Sequence, residues 1–210
     1  MEGEIIARFW KAVMKSIDDG QRASEIHVTD LVYDCIRRAW YDKQVGDVVS
    51  DPKGIMAVWI GRMLHEMPVC DEHEVELKYT TPSGIEITGR MDELCVIDGD
   101  VVIIDKKTTR QIPGKPLDHH VKQLLYYAYM LWKVRGVRAS KIAVLYIDVS
   151  SLEVKPYIIP INQIMIESAG REMEEKAVVL SESLRSGIPP RRQVGWWCSY
   201  CSMFRRCFSE

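Results

Sequence analysis

The chain has 210 residues, is 47% hydrophobic and 28% charged, and carries a formal net charge of −2 at pH 7. That size supports one sizeable core or one domain with an appendage, and the charge balance excludes a molecule that holds nucleic acid by overall basicity. No apolar run approaches the roughly 18 residues of a membrane helix. The N-terminus, acidic at Glu2 and Glu4, has no signal-peptide layout, so a cytoplasmic protein without a membrane partner is expected.

In chain order, residues 1–16 read as an amphipathic helix. A second spans TDLVYDCIRRAWYDK, residues 29–43, with Thr29 as its N-cap. Pro52 and Gly54 mark a break, after which residues 55–67 form a helix carrying His65. Strands over 74–78 and 85–88 flank the turn Thr81–Gly84. A charged hairpin follows, and then a helix over 117–136 closed by Gly136. Two further strands cover 141–149 and 154–161, and a long helix runs from Asn162 to Arg185. Residues 187–197, GIPPRRQVGWW, are an extended connector into a cysteine cluster. Helices, strands, helix, strands and helix in that order make one mixed α/β domain.

The hairpin, GRMDELCVIDGDVVIIDKKTTR, raises the chemical question. Val101 to Ile104 is an unbroken apolar run, the pattern of a buried strand, and it ends abruptly in Asp105, Lys106 and Lys107. Asp98-Gly99 suits a two-residue type I′ turn, because both central residues tolerate positive φ. Ile97 then faces Asp100, and Asp92 lies opposite Asp105. Alternation puts Lys107 on the Asp105 face. A three-residue loop would instead pair Glu93 with Asp105. Opposed carboxylates repel unless one is protonated or a hard cation such as Mg²⁺ or Mn²⁺ sits between them. The plain alternative is a surface hairpin with solvated ends, in which Asp92 pairs with Arg90.

Six cysteines in a cytoplasmic protein point to metal ligation or core packing rather than disulfides. Cys198, Cys201 and Cys207 form a C-x₂-C-x₅-C run, and Cys35 stands alone far upstream. Four thiolates can hold zinc or an iron–sulfur cube. Spacing leans only mildly to the cube, since zinc sites more often show two C-x₂-C pairs. Cys70 and Cys95 have no partner at ligand spacing and read as buried small hydrophobes. From 187 to 209 there are four arginines, Arg191, Arg192, Arg205 and Arg206, and no acid. That patch either meets phosphates or is a solvated tail. Trp196 and Trp197 beside it are a stacking surface or packing around the cysteines.

His65 on a helix, Asp92 after Gly-Arg, Asp105-Lys106-Lys107 as D-x-K and Gln123 to Tyr127 as Q-x-x-x-Y occur in that order. Together with the one-plus-three cysteines, they resemble the CRISPR-associated RecB-like exonuclease family ("Cas four") of the PD-(D/E)XK nucleases. The resemblance spans Thr29 to Cys207. It implies a mixed-sheet, restriction-endonuclease-like nuclease core flanked by helices, with an iron–sulfur element joining the two ends of the chain. The expected parts are a helical segment over 1–50 with the first cluster cysteine, the core over 51–186 and the cysteine element over 187–210.

By the same resemblance, His65, Asp92, Asp105 and the Lys106 backbone carbonyl ligate a catalytic Mg²⁺ or Mn²⁺. Lys107 is the motif lysine, which stabilises charge or helps deprotonate the attacking water. Gln123 and Tyr127, one helical turn apart, line the DNA channel. Cys35, Cys198, Cys201 and Cys207 ligate a [4Fe–4S] cluster, with [2Fe–2S] possible on the same ligands. His119 and His120 remain as surface residues. The implied activity is exonuclease digestion of single-stranded DNA, 5′ to 3′, alongside the CRISPR integrase in spacer acquisition. The rival readings are a non-catalytic iron–sulfur DNA-binding module and a zinc-stapled structural protein.

Overall fold

The computed structural model describes residues 2–17, 25–45 and 52–209. A six-stranded mixed sheet forms its centre, in the order β1-β3-β4-β5-β6, with β2 on β3. The strands are β1 (Ile26–His27), β2 (Glu72–Thr80), β3 (Glu86–Ile97), β4 (Asp100–Thr109), β5 (Lys141–Asp148) and β6 (Val154–Pro160). β4 and β5 run parallel through the crossover helix α5 (Asp118–Arg135), and the remaining long pairings are antiparallel. No helix among the described residues is long and apolar enough to cross a membrane.

The remaining helices are α1 (Glu2–Ile17), α2 (Val28–Leu31), α3 (Ile36–Val45), α4 (Pro52–His65), α6 (Gln163–Ser186) and α7 (Phe204–Ser209). α5 and α6 pack together over the sheet face that carries Leu77, Ile87, Met91, Ile103 and Ile142. Gly170 makes this possible, because a Cβ there would stand 2.2 Å from the Tyr129 ring. On α5, Gly136 takes the left-handed conformation (φ 69°) and donates its amide to Trp132 O. On α6, the Asn162 side chain accepts from the Met165 amide at 3.0 Å. α4 packs against β4 and against α1, with Arg62 donating to Ser16 O at 2.8 Å.

Three elements depart from the sequence expectations. The helix expected over 29–43 is broken into α2 and α3. His27, rather than Thr29, caps α2, and the His27 amide donates to the Asp30 carboxylate at 2.7 Å. The break leaves Tyr33 outside any helix and puts Cys35 just before α3, its carbonyl accepting from the Arg38 amide. Pro52 opens α4 instead of preceding it, as a residue without an N–H can at a first helical turn. The strand at 85–88 and the first hairpin strand are one 12-residue strand, β3.

That long strand creates the opening in which the charged residues meet. β2 occupies one edge of β3 from Glu86 to Leu94. The other edge is shared: β1 pairs with Ile87 and Thr88, and β4 pairs from Glu93 onward. Between them, Gly89 to Asp92 face no strand. The Tyr127 ring fills this gap against Gly89, where a Cβ would lie 2.8 Å from Tyr127 Cε1 and 2.9 Å from Val28 Cγ2. Gly89→Ala is therefore expected to cost about 1–3 kcal/mol by overpacking. Thermal denaturation reads this directly, and an unchanged Tm would show that the Tyr127 ring can yield.

Candidate active site

The hairpin register is the one that its turn chemistry predicts, with Ile97 facing Asp100 and Glu93 facing Ile104. Asp98 and Gly99 both hold positive φ, 53° and 86°. Beyond Glu93 the strands part. Asp92 does not continue the ladder, and its carboxylate accepts the Lys106 amide at 2.7 Å. Its other oxygen stands 3.0 Å from His65 Nδ1 at the C-terminus of α4.

Alternation along β4 sends its charges to opposite faces. Asp105 and Lys107 point to the α5 side, with Lys107 Nζ 3.1 Å and 2.8 Å from the two Asp105 oxygens. Lys107 also donates to Gln123 Oε1 at 3.1 Å, and Gln123 Nε2 donates to Tyr127 Oη at 3.2 Å. Gln123 and Tyr127 are buried, so in this structure they stand behind Lys107 and hold it. Lys106 points the other way, into a fully buried pair with Glu93 at 2.6 Å. Its ammonium also donates to His65 O and Met67 O, at 3.1 Å and 2.7 Å, just where α4 ends. The Glu93 oxygens accept the Val69 and Cys70 amides, both at 3.0 Å. This pair clamps the end of the His65 helix to the sheet.

Asp105 is 1% exposed. Burial raises its carboxyl to about 6, with Lys107 opposing the shift and Asp92 adding to it. Burial works to lower the Lys107 pKa, but Asp105 outweighs it, and the net shift is upward. An ammonium therefore faces this carboxylate. Asp105 Oδ2 is close enough to Lys107 for an ion pair, yet it has no partner with hydrogen-bond geometry. We read it as an acceptor incompletely satisfied by protein groups.

One further residue belongs to the site. Glu74, in β2 opposite Asp92, offers a carboxylate oxygen that lies within 4.8 Å of ligand atoms of His65 and Asp92. Its φ of 51° is unusual for a residue with a Cβ. Glu74 also pairs with Arg90 at 2.8 Å. Extending the hairpin argument to the Thr81–Gly84 turn would have found it, since that turn leads to Val75 facing Met91. An imidazole and several carboxylates make an oxygen-rich donor set that suits a hard divalent ion. Glu74→Gln is expected to weaken Mn²⁺ binding by about tenfold or more, the scale on which metal sites respond to supporting ligands. Calorimetric titration with Mn²⁺ checks this, and an unaltered affinity would mean that Glu74 serves only Arg90.

The site combines a strand-end Asp-x-Lys, an aspartate across a strand split and a helix-terminal histidine. A model of the PD-(D/E)XK nuclease superfamily matches residues 4–208. The chain belongs to this nuclease superfamily. As a PD-(D/E)XK protein it is a metal-dependent nuclease, and its mixed sheet flanked by helices fits that fold. It is similar to the CRISPR-associated exonuclease Cas4 of Saccharolobus solfataricus, at 25% identity over 202 residues and 91% of each chain. It is also similar to the crystal structure of SSO0001, with 26% identity and a TM-score of 0.62 over 97% of this chain and 94% of that one.

The cysteines of this PD-(D/E)XK chain divide into two groups. Cys35, Cys198, Cys201 and Cys207 carry free thiols and line one cavity of about 310 Å³. Cys198 lies in a short 3₁₀ turn, Trp196–Tyr200, and Cys207 lies in α7. Arg37 of α3 ties the connector down by donating to Pro190 O at 3.0 Å. Cys70 and Cys95 correct an expectation: they form a disulfide, with Cα atoms 5.3 Å apart. The β2–β3 pairing brings them together, a contact that their sequence spacing does not announce. His119 and His120 are not plain surface residues either. Both are half-buried, and His120 Nδ1 lies 2.8 Å from Tyr146 Oη. The expectation for Trp196 falls on a side chain outside the described residues, whereas Trp197 lines the cysteine cavity.

Proposed function

We propose that this nuclease is an exonuclease of single-stranded DNA that digests from the 5′ end and prepares DNA for CRISPR spacer acquisition beside the integrase. The observation that carries the reading is the meeting of His65, Asp92 and Glu74 beside the Asp105–Lys107 pair. His65, Asp92, Asp105 and Glu74 would hold a Mg²⁺ or Mn²⁺ ion, with the Lys106 carbonyl as a further oxygen. When bound, such an ion polarises the phosphate and makes its water more acidic. Lys107, steadied by Gln123, presents an ammonium to the charge that develops on the scissile phosphate. Tyr127 fixes Gln123 in turn. The CRISPR role is supported by the name of the Saccharolobus relative.

In the same proposal, Cys35, Cys198, Cys201 and Cys207 hold an iron–sulfur cluster, [4Fe–4S] in preference to [2Fe–2S]. All four thiols line one cavity. One thiol far upstream of a group of three departs from the paired C-x₂-C pattern that zinc sites more often show, which favours the cube. The cluster would hold the two ends of the chain together rather than carry electrons, because hydrolysis needs none.

The test is digestion of single-stranded DNA labelled at either end, with Mn²⁺ or with EDTA. Metal-dependent shortening that begins at the 5′ end is expected, from a brown protein that contains iron. Digestion from the 3′ end alone would overturn the polarity, and a colourless protein with stoichiometric zinc would overturn the cluster.

A further inference from the structure

A line of rings runs from the active site to the cysteine cavity. Lys107 of β4 is the strand partner of Tyr146 in β5. The Tyr146 hydroxyl holds His120, and the His120 ring meets His119 edge-on at 4.2 Å between centroids. His119 in turn stacks on Tyr33, with centroids 5.2 Å apart and planes 27° apart. The Arg38 guanidinium lies 4.5 Å from the Tyr33 centroid. Tyr33, Arg38 and His119 line the same cavity as the four cysteines.

Core packing does not account for this arrangement. Tyr33 is 37% exposed, in the break between α2 and α3. The cavity is lined by the cations Arg37, Arg38, Lys122 and Arg192 against the acids Asp34 and Asp118. The excess of cations suits a polyanion. Lys122 is already engaged by Asp34 and Glu172, each at 2.8 Å, and Arg38 has Asp42 at 3.6 Å, so the rings carry the argument. Burial, reinforced by Lys107 and then Arg38, holds His119 below its ordinary pKa. Its ring is a neutral imidazole at neutral pH. Tyr33 carries His119 on its ring and Arg38 over it, and aromatic rings beside cations are how proteins hold single strands without reading sequence.

We propose that Tyr33 and His119 form a stacking step for one nucleobase of single-stranded DNA, carrying the strand between Lys107 and the cysteine-lined cavity. The inference rests on the single-stranded DNA reading above and adds a specific seat for the substrate. Arg38 contributes the positive charge beside that base.

The experiment uses the full chain carrying Asp105→Asn, so that DNA is bound but not cut. A fluorescein-labelled single-stranded oligonucleotide is scanned with one abasic position at a time, and binding is followed by anisotropy. With Tyr33 intact, one abasic position is expected to weaken binding by about 5- to 150-fold, the worth of one base on an aromatic ring. Tyr33→Ala should weaken the unmodified strand similarly and lose that positional penalty, and Tyr33→Phe should keep it. If the ring is also needed for folding, the scan on the Tyr33 protein and on His119→Ala still reads the stack. Binding without any abasic dependence overturns the stacking step alone. No binding of single strands by the Tyr33 protein overturns the substrate reading, and the stack with it.

Discussion

Replacing Asp105 with Asn is expected to reduce metal-dependent cleavage by roughly a thousandfold or more. The substitution keeps the shape of a side chain that is 1% exposed, so its effect is chemical. At the metal site proposed above it withdraws one charged ligand, and it leaves Lys107 with Gln123 as its remaining hydrogen-bond partner. An ion contributes several kcal/mol to stabilising charge in the transition state, and roughly 4 kcal/mol corresponds to a thousandfold in rate. Single-turnover digestion at saturating Mn²⁺ measures it, with thermal denaturation of the metal-free protein as the control for folding. If the variant keeps more than about a tenth of the rate, Asp105 is not part of the machinery.

Lys106→Met should have the largest effect on stability. It leaves the Glu93 carboxylate fully buried and without its cation. Breaking one side of a buried pair costs about 3–5 kcal/mol, which at roughly 2–4 °C per kcal/mol for a chain of this size lowers Tm by about 10 °C. The His65 and Met67 carbonyls lose a donor at the same time, so Mn²⁺ affinity should fall even where the protein is folded. Adding Glu93→Gln should recover part of the lost stability, because it removes the stranded charge while its one amide oxygen can still accept from one of the Val69 and Cys70 amides. A double-mutant cycle by thermal denaturation decides the point. Equal Tm values for Lys106→Met and the parent would show that water reaches Glu93 freely.

These two residues are neighbours in sequence and opposites in role, which bears on how far a sequence can be read. Alternation alone predicts that Lys106 faces away from Asp105 and Lys107. It does not say what Lys106 meets, because Glu93, the end of α4 and the Val69–Cys70 amides arrive from three other segments. Glu74 and the Cys70–Cys95 disulfide were missed for a related reason: both depend on β2 lying beside β3. The stacking of His119 on Tyr33 needs the break after α2. An uninterrupted helix over 29–43 hides that break.

What the sequence determined by itself was local. The Asp98-Gly99 turn set the hairpin register, alternation put Asp105 with Lys107, and helical spacing put Gln123 over Tyr127. Gly136 and Asn162 marked the ends of helices. Each follows from backbone geometry over a few residues, so the residues concerned carry the information. Only the tertiary structure decided that β3 and β4 part at Asp92, that Glu74 and His65 join it, that Lys106 pins the His65 helix, and that Cys35 reaches the other three cysteines. Those are contacts between distant segments. They arise when a whole core closes, and no short stretch of the chain records them.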